Sequence, residues 1–329
     1  MKTFSNANAR TVADAVTRAQ RAHQQGQTPA FVGGGSDLLA LVKERIISPD
    51  VLVNLKSISG LNQVSRSGNG VTIGGQITLD ALSRQDQIRR QYAVLAEAAG
   101  SVATPQIRNV GTLAGNVCQR PWCWYYRNGF PCYKAGGNQC FSFAGENQFH
   151  AIFGGGPSYI VHPSDTAPAL MALGATFRVV GPSGERNLSA SEFFVLPRQN
   201  ATRENVLADE DVLASIQLPA PKPGTRSSYH KVLDRAAWTH AVVSAAVVLE
   251  MDQQVCRSAS IVLGGVAPIP WRLPQVEAML VGQTITEELA ARAGAEAITG
   301  ARALSKNAYK IPMSRAVVRR TILKVASPV

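Results

Sequence analysis

The sequence predicts an α+β protein of more than one domain, and three observations carry that expectation. A strand-like run at 30–32 passes through three consecutive glycines into a stretch of helical spacing. Strand-like and helix-like segments then alternate as far as PAPKPG at 219–224, which suits neither helix nor sheet and reads as a linker. Beyond it the pattern changes to three strand-like runs followed by two helices. At 329 residues the chain is also longer than one ordinary core requires.

The elements follow in order. Thr11-Val-Ala-Asp14 has the form of a capped helix start, and Val12, Ala15, Val16 and Ala19 repeat at helical spacing behind it. The polar run at 23–27 ends that helix before the strand at 30–32. With a second strand at 51–55 these segments make a small βαβ-like lobe over 1–56. Residues 71–75 read as a strand, 79–83 and 92–99 as helices, 167–173 as a helix and 175–180 as a strand. After the linker, strands are expected at 229–233, 241–251 and 258–263, and helices at 287–297 and 316–324. No repeat of 20 to 50 residues is visible.

Two turns are candidates for binding. In AFVGGGSDLLALVKE, Gly33, Gly34 and Gly35 remove every Cβ between strand and helix, so backbone N–H groups can close on a bulky anion. Ser36 offers a hydroxyl, and the following helix its partially positive end. The combination suits a pyrophosphate. It is not the Rossmann fingerprint, because Leu38 stands where the third glycine belongs and Asp37 already sits in the loop. The second turn, TPQIRNVGTLAGN at 104–116, gathers Arg108, Asn109, Gly111, Thr112, Gly115 and Asn116. Each turn alone could be an ordinary connection. Together, in the first part of the chain, they point to a dinucleotide.

Composition excludes several classes. Apolar residues at 45% and charged residues at 17% are those of a globular protein. No apolar run approaches the roughly 20 residues of a membrane span. The opening MKTFSNANAR has neither an apolar h-region nor a twin arginine, so no export signal is expected. The net charge of +11 is spread without a dense basic block, which favours an acidic protein partner over nucleic acid.

Four of the five cysteines, Cys118, Cys123, Cys132 and Cys140, fall in one segment, and Cys256 stands alone in a strand pattern. Disulfide scaffolds spread their cysteines, whereas clustering reads as a metal or cluster site. The segment 118–156 is aromatic-rich in a chain only 6% aromatic, and has little periodicity. Its spacing, Cys123-x8-Cys132-x7-Cys140, is too wide for a zinc ribbon. Three thiolates could hold an iron–sulfur cluster; buried small hydrophobes or a disulfide pair are the alternatives.

Six stretches in order now carry a resemblance: VGGGSDLLALVKE with the later VLVNL, QIRNVGTLAGN, HPSDTAPALMALGA, YHKVLDRAAWTHAVVSAA, LGGVAPIPWR and NAYKIPMSRAVVRRTIL. Over essentially its full length the chain resembles the FAD-binding medium subunit of the molybdenum hydroxylases, the xanthine dehydrogenase, carbon monoxide dehydrogenase and aldehyde oxidoreductase group. The resemblance implies a two-lobed PCMH-type FAD-binding domain over 1–224, with a small lobe 1–56, a larger lobe 57–224 and an insertion near 118–157. It implies a C-terminal domain over 225–329 with a three-stranded antiparallel sheet and helices. Carried over position by position, the FAD shell would be Val32, Gly33, Gly34, Gly35, Ser36, Asp37, Leu38, Leu39, Arg108, Thr112, Gly115, Asn116, Ser164 and Asp165. Lys231 would lie near the isoalloxazine ring.

One branch of that family carries an additional [4Fe–4S] cluster on four cysteines of the insertion. Cys123, Cys132 and Cys140 match the first three, and Ser158 stands where the fourth is expected. Either Cys118 supplies the fourth thiolate, Ser158 or His150 ligates iron, or no cluster forms. No histidine spacing or nucleophile motif suggests a substrate-activating site, so chemistry would belong to the cofactor. His162, beside the Ser164-Asp165 pair, reads as a turn cap more than as a ligand contact. The resemblance implies electron transfer: from a molybdenum-cofactor large subunit and a [2Fe–2S] small subunit, through this FAD, to an external acceptor. A self-sufficient FAD-dependent oxidase is the alternative, and a zinc-bearing nucleic-acid module a more distant one. The expected compartment is the cytoplasm, or the periplasm if a partner subunit carries the export signal.

Overall fold

The computed structural model describes residues 2–68, 70–235 and 239–327, so 236–238 of the YHKVLDRAAWTHAVVSAA stretch lie outside it. The first lobe consists of β1 (Ser5–Asn8), α1 (Val12–Gln24), β2 (Pro29–Val32), α2 (Leu38–Lys43) and β3 (Val51–Asn54). Its strands form a parallel sheet in the order β1-β3-β2. Thr11 caps α1 by accepting from the Asp14 N–H at 3.0 Å, and Ala15, Val16 and Ala19 bury the stripe beneath. β1 was not expected. Its residues, SNAN, show no apolar alternation; backbone pairing with β3 places it, helped by the Asn54 amide donating to Asn8 Oδ1.

The second lobe adds β4 (Val64–Ser67), β5 (Gly70–Gly74), α3 (Leu79–Arg84), α4 (Asp86–Gln91), α5 (Ala93–Gly100), α6 (Pro105–Val110), α7 (Leu113–Val117), α8 (Trp124–Arg127), α9 (Thr166–Ala172), β6 (Thr176–Gly181), β7 (Gly184–Ser189), α10 (Ala190–Phe193) and β8 (Val212–Leu218). The strands make an antiparallel sheet in the order β4-β5-β8-β6-β7. Ile73, Phe177 and Ile216 from the sheet close on Leu82, Leu95 and Leu170 from α3, α5 and α9, all essentially inaccessible.

The last part holds β9 (Thr225–Val232), β10 (Val243–Asp252), β11 (Val255–Gly264), β12 (Trp271–Arg272), α11 (Pro274–Leu280), α12 (Glu287–Glu296) and α13 (Lys310–Ala326). Three long antiparallel strands carry the sheet, and the two-residue β12 adds a fourth at its edge. Both faces are covered. Ala246 and Val262 join the core under α5 and α9, while Ala245, Val247, Leu249 and Ile261 pack with Val318 and Ile322 of α13. Burial on both sides explains why β10 and β11 read as nearly continuous apolar runs. α13 begins at Lys310 rather than 316, because Pro312 falls in its first turn, where an N–H has no intrahelical partner. Among the described residues no helix is long and apolar enough to cross a membrane.

The insertion is irregular, as its lack of periodicity implies, with only α8 and a single 3-10 turn at Tyr133–Ala135. Tyr126 and Cys132 pack on Leu41 of α2. The rings of Tyr125, Phe130 and Phe141 meet at 5.0–6.1 Å. Lys134 is buried against Glu204 at 2.5 Å, and Arg120 reaches the same carboxylate at 3.2 Å. Desolvation pulls the Lys134 ammonium below its ordinary value, and Glu204 opposes that pull.

Candidate functional site

The two glycine turns touch. A Cβ added to Gly34 would stand 1.8 Å from the Val110 carbonyl oxygen, so no other residue permits this approach of the backbones. Gly35 sits at φ +75°, which turns the chain into α2. The second bend is more regular than a loop. Thr104 caps α6, with Pro105 in its first turn, and Thr112 caps α7 by accepting from the Gly115 N–H at 3.2 Å. The Thr112 Oγ1 therefore keeps its own hydrogen to donate.

Against this junction lies a cavity of about 460 Å³, bordered by Ser36, Gly111, Thr112, Gly115 and Asn116. Two neighbouring hollows, of about 420 and 250 Å³, share Thr112 with it and Gln76 with each other. Gly34 borders one of these hollows and Gly33 the other. Three hollows thus surround the joined glycine turns, with Thr112 common to all.

Several other expected residues have partners inside the protein. Arg108 donates from Nη1 to the Val102 carbonyl at 2.7 Å. The Asn116 Oδ1 accepts from Ser164 Oγ and Thr166 Oγ1, both at 2.6 Å, which leaves its amide NH₂ for the cavity it borders. Ser164 also accepts from the Ala167 N–H at 3.0 Å and so starts α9. Asp165 borders the cavity, but its carboxylate takes the Tyr229 hydroxyl and the Lys231 ammonium, each at 2.7 Å. Lys231 also donates to the Ser101 carbonyl, so its charge is buried and paired behind Asp165. Val32 ends β2; Leu38 and Leu39 open α2, and Leu39 is exposed. His162 accepts from the Ser164 N–H at 3.4 Å, a turn cap, and burial holds its pKa down at about 3.

Asp37 has a role the sequence did not suggest. It makes no side-chain cap on α2. Its carboxylate instead takes the Arg127 Nη2 at 2.6 Å and the Arg120 N–H at 2.9 Å, which ties the insertion to the glycine turn. Through that tie the insertion supplies walls to the cavity that residue patterns did not identify: Trp122, Phe149 and His150. The Arg127 guanidinium lies 4.3 Å over the Trp122 ring, and the His240 ring lies 5.5 Å from it. The aromatic excess of the insertion was the available signal.

The structure sets Cys118 apart from Cys123 and Cys132 of the expected set. Cys118 closes α7 and packs against the central core, where burial pushes its thiol up to about 12. Cys123 and Cys132 belong to the separate cluster on α2. Cys123 sits 3.3 Å from His150 Nε2 with its thiol raised to about 11, and Cys140 meets Ser142 Oγ at 3.1 Å. Among the described residues no group of three or more His, Cys, Asp or Glu is arranged to hold a metal ion. Cys123, Cys132 and Cys140 nevertheless stay near one another, since the charges of Cys132 and Cys140 both act on the Cys123 thiol. Cys256 is buried core.

Comparisons with known proteins agree on one group. Residues 3–221 match the family described as FAD binding domain in molybdopterin dehydrogenase, and 228–325 match the CO dehydrogenase flavoprotein C-terminal domain. The chain is 33% identical over 285 residues to the aldehyde oxidoreductase FAD-binding subunit PaoB of Escherichia coli, covering 85% of this chain and 86% of that one. It is 27% identical to the carbon monoxide dehydrogenase medium chain of Afipia carboxidovorans, covering 95% and 93%. The solved carbon monoxide dehydrogenase of Hydrogenophaga pseudoflava superposes with a TM-score of 0.77 at 26% identity, covering 99% and 97%.

Proposed function

The chain belongs to the FAD-binding medium subunits of the molybdenum hydroxylase family, and from that premise we propose how its own residues serve an electron-transfer subunit. The observation that supports the reading is the contact of the two glycine turns beside the cavity. We assign residues 1–224 to FAD binding and 225–329 to the second domain.

Bound FAD supplies the exchange between one-electron and two-electron traffic. Gly111 and Gly115 would hold its diphosphate against bare backbone in this cavity, with Gly33 and Gly34 on the adjoining hollows and the hydroxyls of Ser36 and Thr112 as added donors. The Asn116 amide and the Asp165 edge would meet polar atoms further along the cavity. Lys231 acts one layer behind, since it neutralises Asp165 and so lets a carboxylate border the cavity without a free charge. Trp122, half-exposed and backed by Arg127, offers an indole edge or face to the ligand at the cavity mouth.

The partners in this reading are a molybdenum-cofactor large subunit, a [2Fe–2S] small subunit and an external acceptor. The compartment is the cytoplasm, or the periplasm if a partner carries the export signal. Isolation of the native complex, followed by denaturing release and chromatography of its flavin, is the test. One FAD per copy of this chain, with molybdenum on a co-purifying subunit, is expected. A flavoprotein that purifies alone and oxidises a small alcohol would replace this reading with the self-sufficient oxidase.

A further inference from the structure

The stretch NAYK, at the start of the last resembling segment, has no part in the cavity itself, yet it determines one wall of it. Four consecutive carbonyls of the insertion, from 148 to 151, are taken by side chains of residues 307–310. The Tyr309 hydroxyl donates to Gln148 O at 2.7 Å and the Lys310 ammonium to Phe149 O at 2.8 Å. Asn307 Nδ2 donates to His150 O at 3.1 Å and Ala151 O at 3.3 Å. Asn147 completes the seam from the other side, donating to Ser305 Oγ and accepting from the Lys306 N–H. Lys306 and Glu146 form an ion pair at its exposed end. Asn147, Asn307 and Lys310 are each 0% exposed. Phe149 and His150, whose carbonyls are held in this way, border the cofactor cavity.

Lys310 is the costly member of the seam. Its ammonium also donates to Gly265 O at 2.7 Å, and among the described residues it forms no ion pair. Burial without a counter-charge pulls its ammonium down to about 7, so the charge is held only in part at neutral pH and a neutral amide would tie the same carbonyls at lower cost. Its field also reaches the cavity wall: burial first, and the Lys310 charge second, hold His150 below its ordinary value at about 4. We propose that Lys310, carried by the C-terminal domain, is a positioning residue of the cofactor cavity: with Asn307 and Tyr309 it sets the 147–151 wall, and it places a positive charge behind that wall which favours an electron-rich ligand. The proposal rests on FAD occupying the cavity.

The test is Lys310→Met in the native complex, compared with wild type in FAD affinity after deflavination and refilling, midpoint potential of the bound flavin, and thermal midpoint. The expected result is a thermal midpoint equal to or above wild type, FAD bound at least fivefold more weakly, and a flavin potential shifted downward. A folded Lys310→Met complex with unchanged affinity and potential overturns the proposal, whether or not its stability falls. If that variant fails to fold, Tyr309→Phe removes one hydroxyl at the exposed rim of the same wall. It must then change the visible circular dichroism of bound flavin and weaken FAD about twofold; no change in either overturns the proposal. A wild-type complex that holds no FAD would overturn the cofactor reading itself, and this inference with it.

Discussion

Replacement of Gly34 by alanine is the sharpest perturbation of the site. The new methyl would lie 1.8 Å from Val110 O, 2.6 Å from its carbonyl carbon and 3.1 Å from Gly111 Cα. An ordinary carbon–oxygen contact is above 3 Å, so the two turns must part by more than an ångström, and backbone cannot swing aside as a side chain does. Overpacking of this kind costs about 1–3 kcal/mol. Taken wholly from ligand affinity, that is about 5- to 150-fold in the FAD dissociation constant. Gly100→Ala is the control: it ends α5, its nearest non-local atom is Ser83 Cβ at 3.6 Å, and alanine should be neutral or stabilising there by up to about 1 kcal/mol. The assay is FAD titration of the deflavinated complex followed by flavin absorbance, with urea unfolding to apportion the cost. A Gly34→Ala protein with wild-type affinity and wild-type stability refutes the reasoning that the turns are pressed together to hold the ligand.

The remaining expectations concern acid, charge and light. His162 is neutral in the fold, with its pKa lowered from 6.5 to about 3, so the unfolded chain binds the extra proton as pH falls below 6.5. Its contribution is complete above that value and is lost on acidification. At pH 5 the loss is about 2 kcal/mol, and His162→Gln should flatten that part of the stability–pH curve measured by chemical denaturation. Lys134→Met leaves the buried Glu204 carboxylate with Arg120 alone, and should cost about 3 kcal/mol, the low end for breaking a buried pair. Denaturant midpoints check it, and a second substitution, Glu204→Leu, should recover much of the loss. Trp122, 44% exposed, borders the cavity, whereas Trp124, 66% exposed, does not. Trp122→Phe should therefore raise the emission of bound flavin several-fold, and Trp124→Phe should leave it unchanged; equal responses would remove Trp122 from the cavity wall.

Local sequence carried a good deal of this protein. The capped helix at α1, the strand into Gly33–Gly35, the hydroxyl at Thr112 and the apolar runs of β10 and β11 all follow from side chains within a few residues of one another. Three glycines in a row signal a left-handed turn or a close approach, and here Gly35 serves the first and Gly34 the second. Only the tertiary structure decided which neighbour that is: Val110, far along the chain. It also decided that Asp37 binds Arg127 of the insertion, that Asp165 faces the cavity already paired with Lys231, and that Cys118 packs apart from Cys123 and Cys132. The division has a physical reason. Propensity, capping and periodicity act over a turn or two of chain, and the residues involved declare them. Ion pairs, wall contacts and thiol groupings form between segments whose approach is set by the packing of whole sheets and helices, and no short pattern records it.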